Sequence, residues 1–247
     1  MSNPRFTPRE AVYSRLKARG KSFKDIRVGK KVLLTWTESW GEKLADELLA
    51  TPAPRTMFAH TFWLRTADNN QGGITVAFAP IGAPGTIMLM EDLIACGAES
   101  FVGVGASGSL DMRHTVGTVL IPETVKVIDE GTSKHYPTKK PPTADTKLRN
   151  ELCTLIKKHG GKTASGDWWT TDGFYREMND DIVSYAKAGI IGVDMETSAM
   201  YQVAKHRNVK VCNTLVVSDE LWAEWNYGIN FDKFKIGVST MHKSVIE

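Results

Sequence analysis

Cysteine is scarce, at three in 247 residues. Cys96, Cys153 and Cys212 are odd in number, far apart and outside any CxxC pattern, which argues against a disulfide framework and a zinc site and leaves reduced, mostly buried thiols. No metal is expected. Long hydrophobic runs are missing as well, so no bilayer-spanning segment is expected and a membrane is excluded as a partner. The first residues, MSNPRFTPREAVYSRLKARGK, lack the apolar centre of a secretory signal, and a cytoplasmic location is the expectation. Net charge is also low: +3, with the lysines and arginines spread along the chain instead of forming a stripe, which argues against nucleic acid as a partner. Repeats and low-complexity tracts are absent.

What is present has an ordinary globular balance, 42% hydrophobic and 24% charged, in a chain long enough for one large core. β-rich runs recur at Val32–Trp36, Ile74–Pro80, Phe101–Gly105, Thr118–Ile128, Ile190–Met195 and Val209–Ser218. Several are apolar without alternation, as strands buried on both faces are. Helix-like segments lie between them at Glu42–Ala50, Thr86–Cys96, Thr146–His159 and Glu196–His206. Ala83-Pro84-Gly85 suits a helix start and Gly97 a helix stop. The pattern is α/β, with residues 1–30 as an N-terminal helical extension and residues 31–247 as one domain.

Gly103 to Leu110, GVGASGSL, follows a buried strand and contains G-x-G-x-x-G. A dinucleotide site needs a helix next, to aim its N-terminus at a pyrophosphate. Here Asp111–Gly117 is followed by another β-rich run, so the dinucleotide reading fails even though Asp129 lies near the distance of a ribose carboxylate. A tight turn at a strand end is the plainer reading, and its glycines would still let backbone N–H groups approach a ligand.

Two strands deliver acids to their C-terminal ends. Gly189–His206, GIIGVDMETSAMYQVAKH, runs from a strand through Asp194-Met195-Glu196 into a helix, and VCNTLVVSDELW ends a strand at Ser218-Asp219-Glu220. Helix capping suits Asp194. Glu196 and Asp219 read better as chemistry: a carboxylate matches the vicinal hydroxyls of a sugar, and a carboxylic acid kept protonated can donate to a leaving group. Met195 suits the apolar face of that sugar, or simple core.

Together and in this order, these segments resemble the family of nucleoside phosphorylases and nucleosidases, which includes purine nucleoside phosphorylase, uridine phosphorylase and the methylthioadenosine nucleosidases. The resemblance runs from about Val32 to Asp219. VGASGSL resembles the family's phosphate and ribose loop, placing Gly105, Ala106 and Ser107 at the substrate. TTDGFY, Thr171–Tyr175 with the preceding threonine, resembles the base-stacking segment and implies that Phe174 stacks on the base, although the ring alone is equally readable as core. VDMETSAMY resembles the ribose segment, which implies Met195 and Glu196 as ribose ligands, and VVSD implies Asp219 as the acid that protonates the base. PRTMF, Pro54–Phe58, resembles the segment that lends an arginine to a neighbouring subunit's phosphate, which makes Arg55 a candidate beside the reading of an ordinary surface arginine. The resemblance further implies a single-domain three-layer α/β/α fold with a central mixed sheet, and a homo-oligomer from dimer to hexamer.

The departures concern phosphate. Phosphorylases of the family end their first strand in Gly-Asp-Pro-x-Arg; here the stretch is Thr35-Trp36-Thr37-Glu38-Ser39-Trp40. The positions of a second arginine and of a hydroxyl hold Gly103 and Ala106. Losing cations from a dianion site weakens it strongly. The nucleosidases use a glutamate near the first loop to activate water, which nominates Glu38, or Glu42 one turn on, against the reading of a solvated helix start. The expectation is an enzyme that cleaves the N-glycosidic bond of a nucleoside, purine by preference, without a cofactor and with phosphate as an optional co-substrate. A non-catalytic nucleoside-binding protein of the same fold is the alternative.

Overall fold

A computed structural model describes residues 4–52, 63–67 and 72–247. The expected arginine ligand, Arg55, lies outside the described residues. Strand β1 (Lys31–Thr35) runs parallel to β4 (Ile74–Phe78) on one side and to β5 (Ser100–Ser109) on the other. β3 (Trp63–Ala67) and β2 (Thr51–Pro52) extend that half in antiparallel fashion. The other half holds β6 (Val119–Asp129), β7 (Thr163–Thr171), β8 (Ile190–Asp194), β9 (Lys210–Glu220) and the short β10 (Asn226–Tyr227). The order is β10-β9-β6-β7-β8-β5-β1-β4-β3-β2, with parallel and antiparallel pairs mixed. β5 also pairs with β9 over its full length, so β9, β6, β7, β8 and β5 close into a ring.

Seven α-helices accompany the sheet among the described residues: α1 (Pro8–Lys17), α2 (Glu38–Glu47), α3 (Ala83–Ala95), α4 (Thr146–Lys158), α5 (Asn179–Lys187), α6 (Thr197–Arg207) and α7 (Asp232–Ile246). β9 shows how they divide into layers. Asn213 reaches Thr197 of α6, whereas a Cβ on Gly237 of α7 would meet Val216. Residues of opposite parity on a strand face opposite ways, so α6 and α7 cover opposite faces. α3 packs on α6 and α1, and Arg15 of α1 pairs with buried Asp92 of α3. On the other side α7 packs on α4, and Trp40 of α2 meets His242 of α7 edge-on at 5.6 Å. The result is the expected three-layer arrangement around a mixed sheet.

The N-terminal segment is helical, but α1 does not hang free: Val12 and Leu16 are fully buried in the main core. α3 starts at Ala83, where Ala83-Pro84-Gly85 suits a helix start, whereas α2 starts at Glu38, one turn ahead of the sequence expectation. β7, α5 and α7 were not expected; β7 opens with the polar run Thr163-Ala-Ser-Gly-Asp167 yet lies between β6 and β8. The glycine-rich stretch is also corrected. It is no tight turn: Gly103–Ser109 continues β5, with an irregularity between Ser107 and Gly108 that bends the strand towards β8.

No helix among the described residues is long and apolar enough to cross a membrane. Cys96 and Cys153 are half-buried and Cys212 is buried, and the three form no disulfide with one another.

Candidate active site

The bend in β5 assembles the site. Gly108 pairs with Val193 of β8 on one side and with Asp219 of β9 on the other. The ends of two strands that carry acids therefore meet across one glycine. On the far side of β8, Trp169 pairs with Val193 and Thr170 with Asp194, so the segment after β7, which holds Phe174, leaves the sheet beside Asp194-Met195-Glu196.

Asp194 is structural. Its carboxylate accepts from Trp168 Nε1 at 3.0 Å, Thr170 Oγ1 at 2.9 Å, Thr197 N at 3.0 Å and Thr197 Oγ1 at 2.5 Å. The Thr197 bonds cap α6, as the sequence suggested, and leave this carboxylate committed. Glu196 differs. It is 6% exposed, and its Oε1 accepts the Gly82 N–H at 2.6 Å from the turn before α3. Burial, reinforced by the Asp194 charge, pushes its acid up to about 8. Met195 is half-buried between these two buried acids.

Asp219 is buried at the end of β9. Its Oδ1 lies 2.6 Å from the Ser218 hydroxyl, and its Oδ2 accepts from Trp225 Nε1 at 3.1 Å. Ser218 Oγ is also 3.1 Å from the Ser107 carbonyl, which ties the acid to the bent part of β5. The Ser107 side-chain hydroxyl is buried and has no hydrogen-bond partner among the described residues. A buried hydroxyl without a partner is costly and marks a place where a ligand or water would be held. Ala106, beside it, is the exposed residue of an otherwise covered strand.

Gly103 and Gly105 are glycines for reasons of space. A Cβ at Gly103 would stand 2.1 Å from Asn213 Oδ1, and one at Gly105 would stand 3.0 Å from both Leu215 and the ring of Trp36. Trp36 thus lies over the glycine stretch, its Nε1 donating to Thr86 Oγ1 of α3 at 2.8 Å. An arginine cannot occupy position 103 without displacing the Asn213 network that reaches Thr197 and Asp194.

Phe174 opens a 3-10 turn, Phe174–Arg176, with 47% of its surface exposed and its ring edge-on to Tyr175 at 5.0 Å. Exposure on a loop beside Glu196 suits a ligand platform better than core. Glu38 and Glu42 are exposed on the first turns of α2, and neither hydrogen-bonds to Glu196, Asp219 or Ser107. The structure brings Glu196, Asp219, Ser107 and the Phe174 loop together and leaves Glu38 on the helix start. One group escaped the sequence reading: Glu177, half-buried three residues after Phe174, whose acid is raised to about 7 by burial, reinforced by the charge of Asp219. No spacing motif in the sequence marks it.

A family model described as the phosphorylase superfamily matches residues 38–243. The chain is 24% identical over 160 residues to a guanosine phosphorylase of Halorubrum lacusprofundi, covering 64% of this chain and 66% of that protein. It is 24% identical over 209 residues to a DeoD-type purine nucleoside phosphorylase of Streptococcus pyogenes serotype M5, covering 81% and 86%. In three dimensions it resembles the purine nucleoside phosphorylase of Toxoplasma gondii, with a TM-score of 0.79, 24% identity and coverage of 91% of this chain and 90% of that one. The matched region contains every described site residue from Glu38 to Asp219, and the chain belongs to the phosphorylase superfamily.

Proposed function

We propose that this protein cleaves the N-glycosidic bond of a purine nucleoside and depends only weakly on phosphate. The observation that carries the reading is the placement of Glu196 and Asp219, both buried, at strand ends that flank Gly108. A nucleoside set between them turns its ribose hydroxyls to Glu196 Oε2, rests its sugar on Met195, stacks its base near Phe174 and aims the base's ring nitrogen at Asp219. As the C–N bond breaks, the sugar becomes cationic and the base takes the electron pair; protonation from the Asp219 side neutralises it. The names of the Halorubrum, Streptococcus and Toxoplasma relatives support a purine as the base.

The weak phosphate dependence rests on what fills the expected anion site. Trp40, at the position of the first arginine, packs against Phe234 and His242, and Gly103, at that of the second, is packed against Asn213, so neither place holds a cation. Each lost charged hydrogen bond is worth roughly 1.5–3 kcal/mol, and two such losses weaken phosphate binding by about two orders of magnitude or more. Arg55 from a neighbouring subunit would recover part of this in a homo-oligomer, which we propose as the working form. No organic cofactor or metal takes part in this reading. Phosphate stays an optional co-substrate.

The experiment incubates adenosine, inosine, guanosine, uridine and methylthioadenosine with the protein in phosphate-free buffer and again with phosphate, and identifies the sugar released. Free ribose without phosphate supports the proposal. Ribose 1-phosphate formed at submillimolar phosphate overturns the weak dependence. Binding without product in either buffer leaves a nucleoside-binding protein.

A further inference from the structure

We propose that Trp225 is a positioning residue for the reaction: its indole N–H fixes the carboxyl plane of Asp219, so that this acid meets the departing base in one orientation. The inference rests on the reading of Asp219 as the acid that serves that base.

The chain after β9 forms a hairpin that returns along the strand, with Asn226 and Tyr227 of β10 paired to Glu220 and Asp219. The hairpin has anchors of its own. Leu221 N donates to the Ser109 carbonyl at 2.9 Å and Gly228 N to the Ser218 carbonyl at 2.8 Å. Asn226 Nδ2 donates to Glu220 Oε2 at 2.8 Å, and Glu220 Oε1 accepts the Val116 N–H at 2.9 Å. Leu221 also lies over the bend of β5, where a Cβ on Gly108 would stand 2.8 Å from its side chain. Two adjacent acids therefore divide the work. Glu220 holds the hairpin, and Asp219, next to it on the strand, faces the other way.

Trp225 is not among these anchors. It is 63% exposed, and its ring lies 5.4 Å from that of Tyr227, 49% exposed, with 34° between the planes. So exposed a side chain has water available for its N–H, yet the N–H donates inward to Oδ2 of the buried Asp219 at 3.1 Å. An indole N–H is a donor only, so Oδ2 is always the acceptor of this bond. Ser218 Oγ lies 2.6 Å from the other oxygen, Oδ1. The terminal torsion of an aspartate is soft when free, and contacts at both oxygens hold it. Packing on Tyr227 fixes the plane of the indole in turn.

Proton transfer requires the acid to be within hydrogen-bond reach of the ring nitrogen and aligned with it as the C–N bond breaks, and a small misplacement costs rate more than binding. The indole neither gives nor takes a proton in this step. Its contribution is the orientation of Asp219.

The test compares kcat and KM for a purine nucleoside in wild type, Trp225→Phe, Asp219→Asn and the double variant. Trp225→Phe keeps a ring beside Tyr227 and removes the donor. It should lower kcat roughly tenfold with little change in KM, because the lost orientation is used in the transition state. In the Asp219→Asn background no acid remains to be oriented, and the same substitution should have almost no further effect. Losses that multiply, or a Trp225→Phe protein with wild-type kcat, overturn the proposal and leave Asp219 in its role. Benzothienylalanine at position 225, which puts sulfur in place of the N–H on the same ring frame, should reproduce the loss seen with Trp225→Phe; wild-type kcat there also overturns it. The bond is read without turnover by nitrogen NMR. The Trp225 Nε1–H, assigned by its disappearance in Trp225→Phe, should exchange with solvent more slowly than a free indole, and exchange at the free rate overturns the proposal. A wild type that cleaves no nucleoside refutes the parent reading, an outcome distinct from losses that multiply in an active enzyme.

Discussion

Glu196 Oε1 accepts the backbone N–H of Gly82 at 2.6 Å, joining two positions 114 residues apart. The bond links the ribose end of the site to the N-terminus of α3, and it leaves a single buried glutamate both structural and available. Burial then sets its protonation, and a stability signature follows.

The Glu196 acid is raised in the folded state to about 8 from an ordinary 4.5. Between those values the unfolded chain has released a proton that the folded chain retains, so this group's contribution is full below 4.5 and is lost as pH rises towards 8. Glu196→Gln keeps an acceptor for Gly82 and removes the titration. In chemical denaturation, the stability of the variant relative to wild type should rise by about 1 kcal/mol per pH unit from pH 5 to 8. A constant difference across that range would count against the buried acid.

The same substitution should weaken sugar binding and turnover together, because the ribose hydroxyls face this side chain. Comparing a ribonucleoside with its 2′,3′-dideoxy analogue checks the assignment. Equal handling of both by wild type would remove Glu196 from the ribose.

Asp219→Asn should retain the fold and lower nucleoside cleavage by about a hundredfold, within the usual two to four orders of magnitude for general acid catalysis. Circular dichroism alongside initial rates separates the two effects. Near-normal turnover would take Asp219 out of the reaction.

His242 is 1% exposed on α7, with neither ring nitrogen partnered among the described residues and Trp40 against its ring. Burial, assisted by the charge of Lys43, lowers it to about 4. The unfolded chain gains a proton near 6.5 that the folded chain refuses until about 4, so stability falls as pH drops through that window. His242→Phe should flatten that part of the profile. Urea midpoints at pH 7.5 and 4.5 give the comparison, and an equal drop in both proteins would contradict it.

Gly103→Ala should destabilise by about 1–3 kcal/mol, since its Cβ would enter the Asn213 side chain at 2.1 Å. For the same reason Gly103→Arg alone should not confer phosphate dependence. A Gly103→Arg protein with normal stability and phosphate-driven turnover would show that the Asn213 network yields easily.

Much of this was legible in the sequence because it was local. The strand-to-helix passages at Asp194 and Ser218 place acids at sheet ends, and capping explains Asp194 from its neighbours alone. The bend of β5 was not legible: whether Gly103–Ser109 turns back or continues depends on pairing with Val193 and Asp219, far along the chain. β7 was missed because a strand enclosed between two others takes its burial from them and not from its own polar opening. Glu177 went unnoticed for a related reason, since its burial and the charge that acts on it, from Asp219 on a distant strand, come from the fold and not from its sequence neighbours. Arg55 lies outside the described residues.

The ring closed by β5 and β9 also sets when this site can come into being. Ser107 and Ser218, bonded across that seam, are 111 residues apart, and β9 leaves the ribosome long after β5. Until it does, a nascent chain holds Glu196 without the opposing acid, and the bent edge of β5 has no strand to lie against. Premature termination or clipping ahead of Lys210 therefore yields an unfinished sheet and no half-active enzyme.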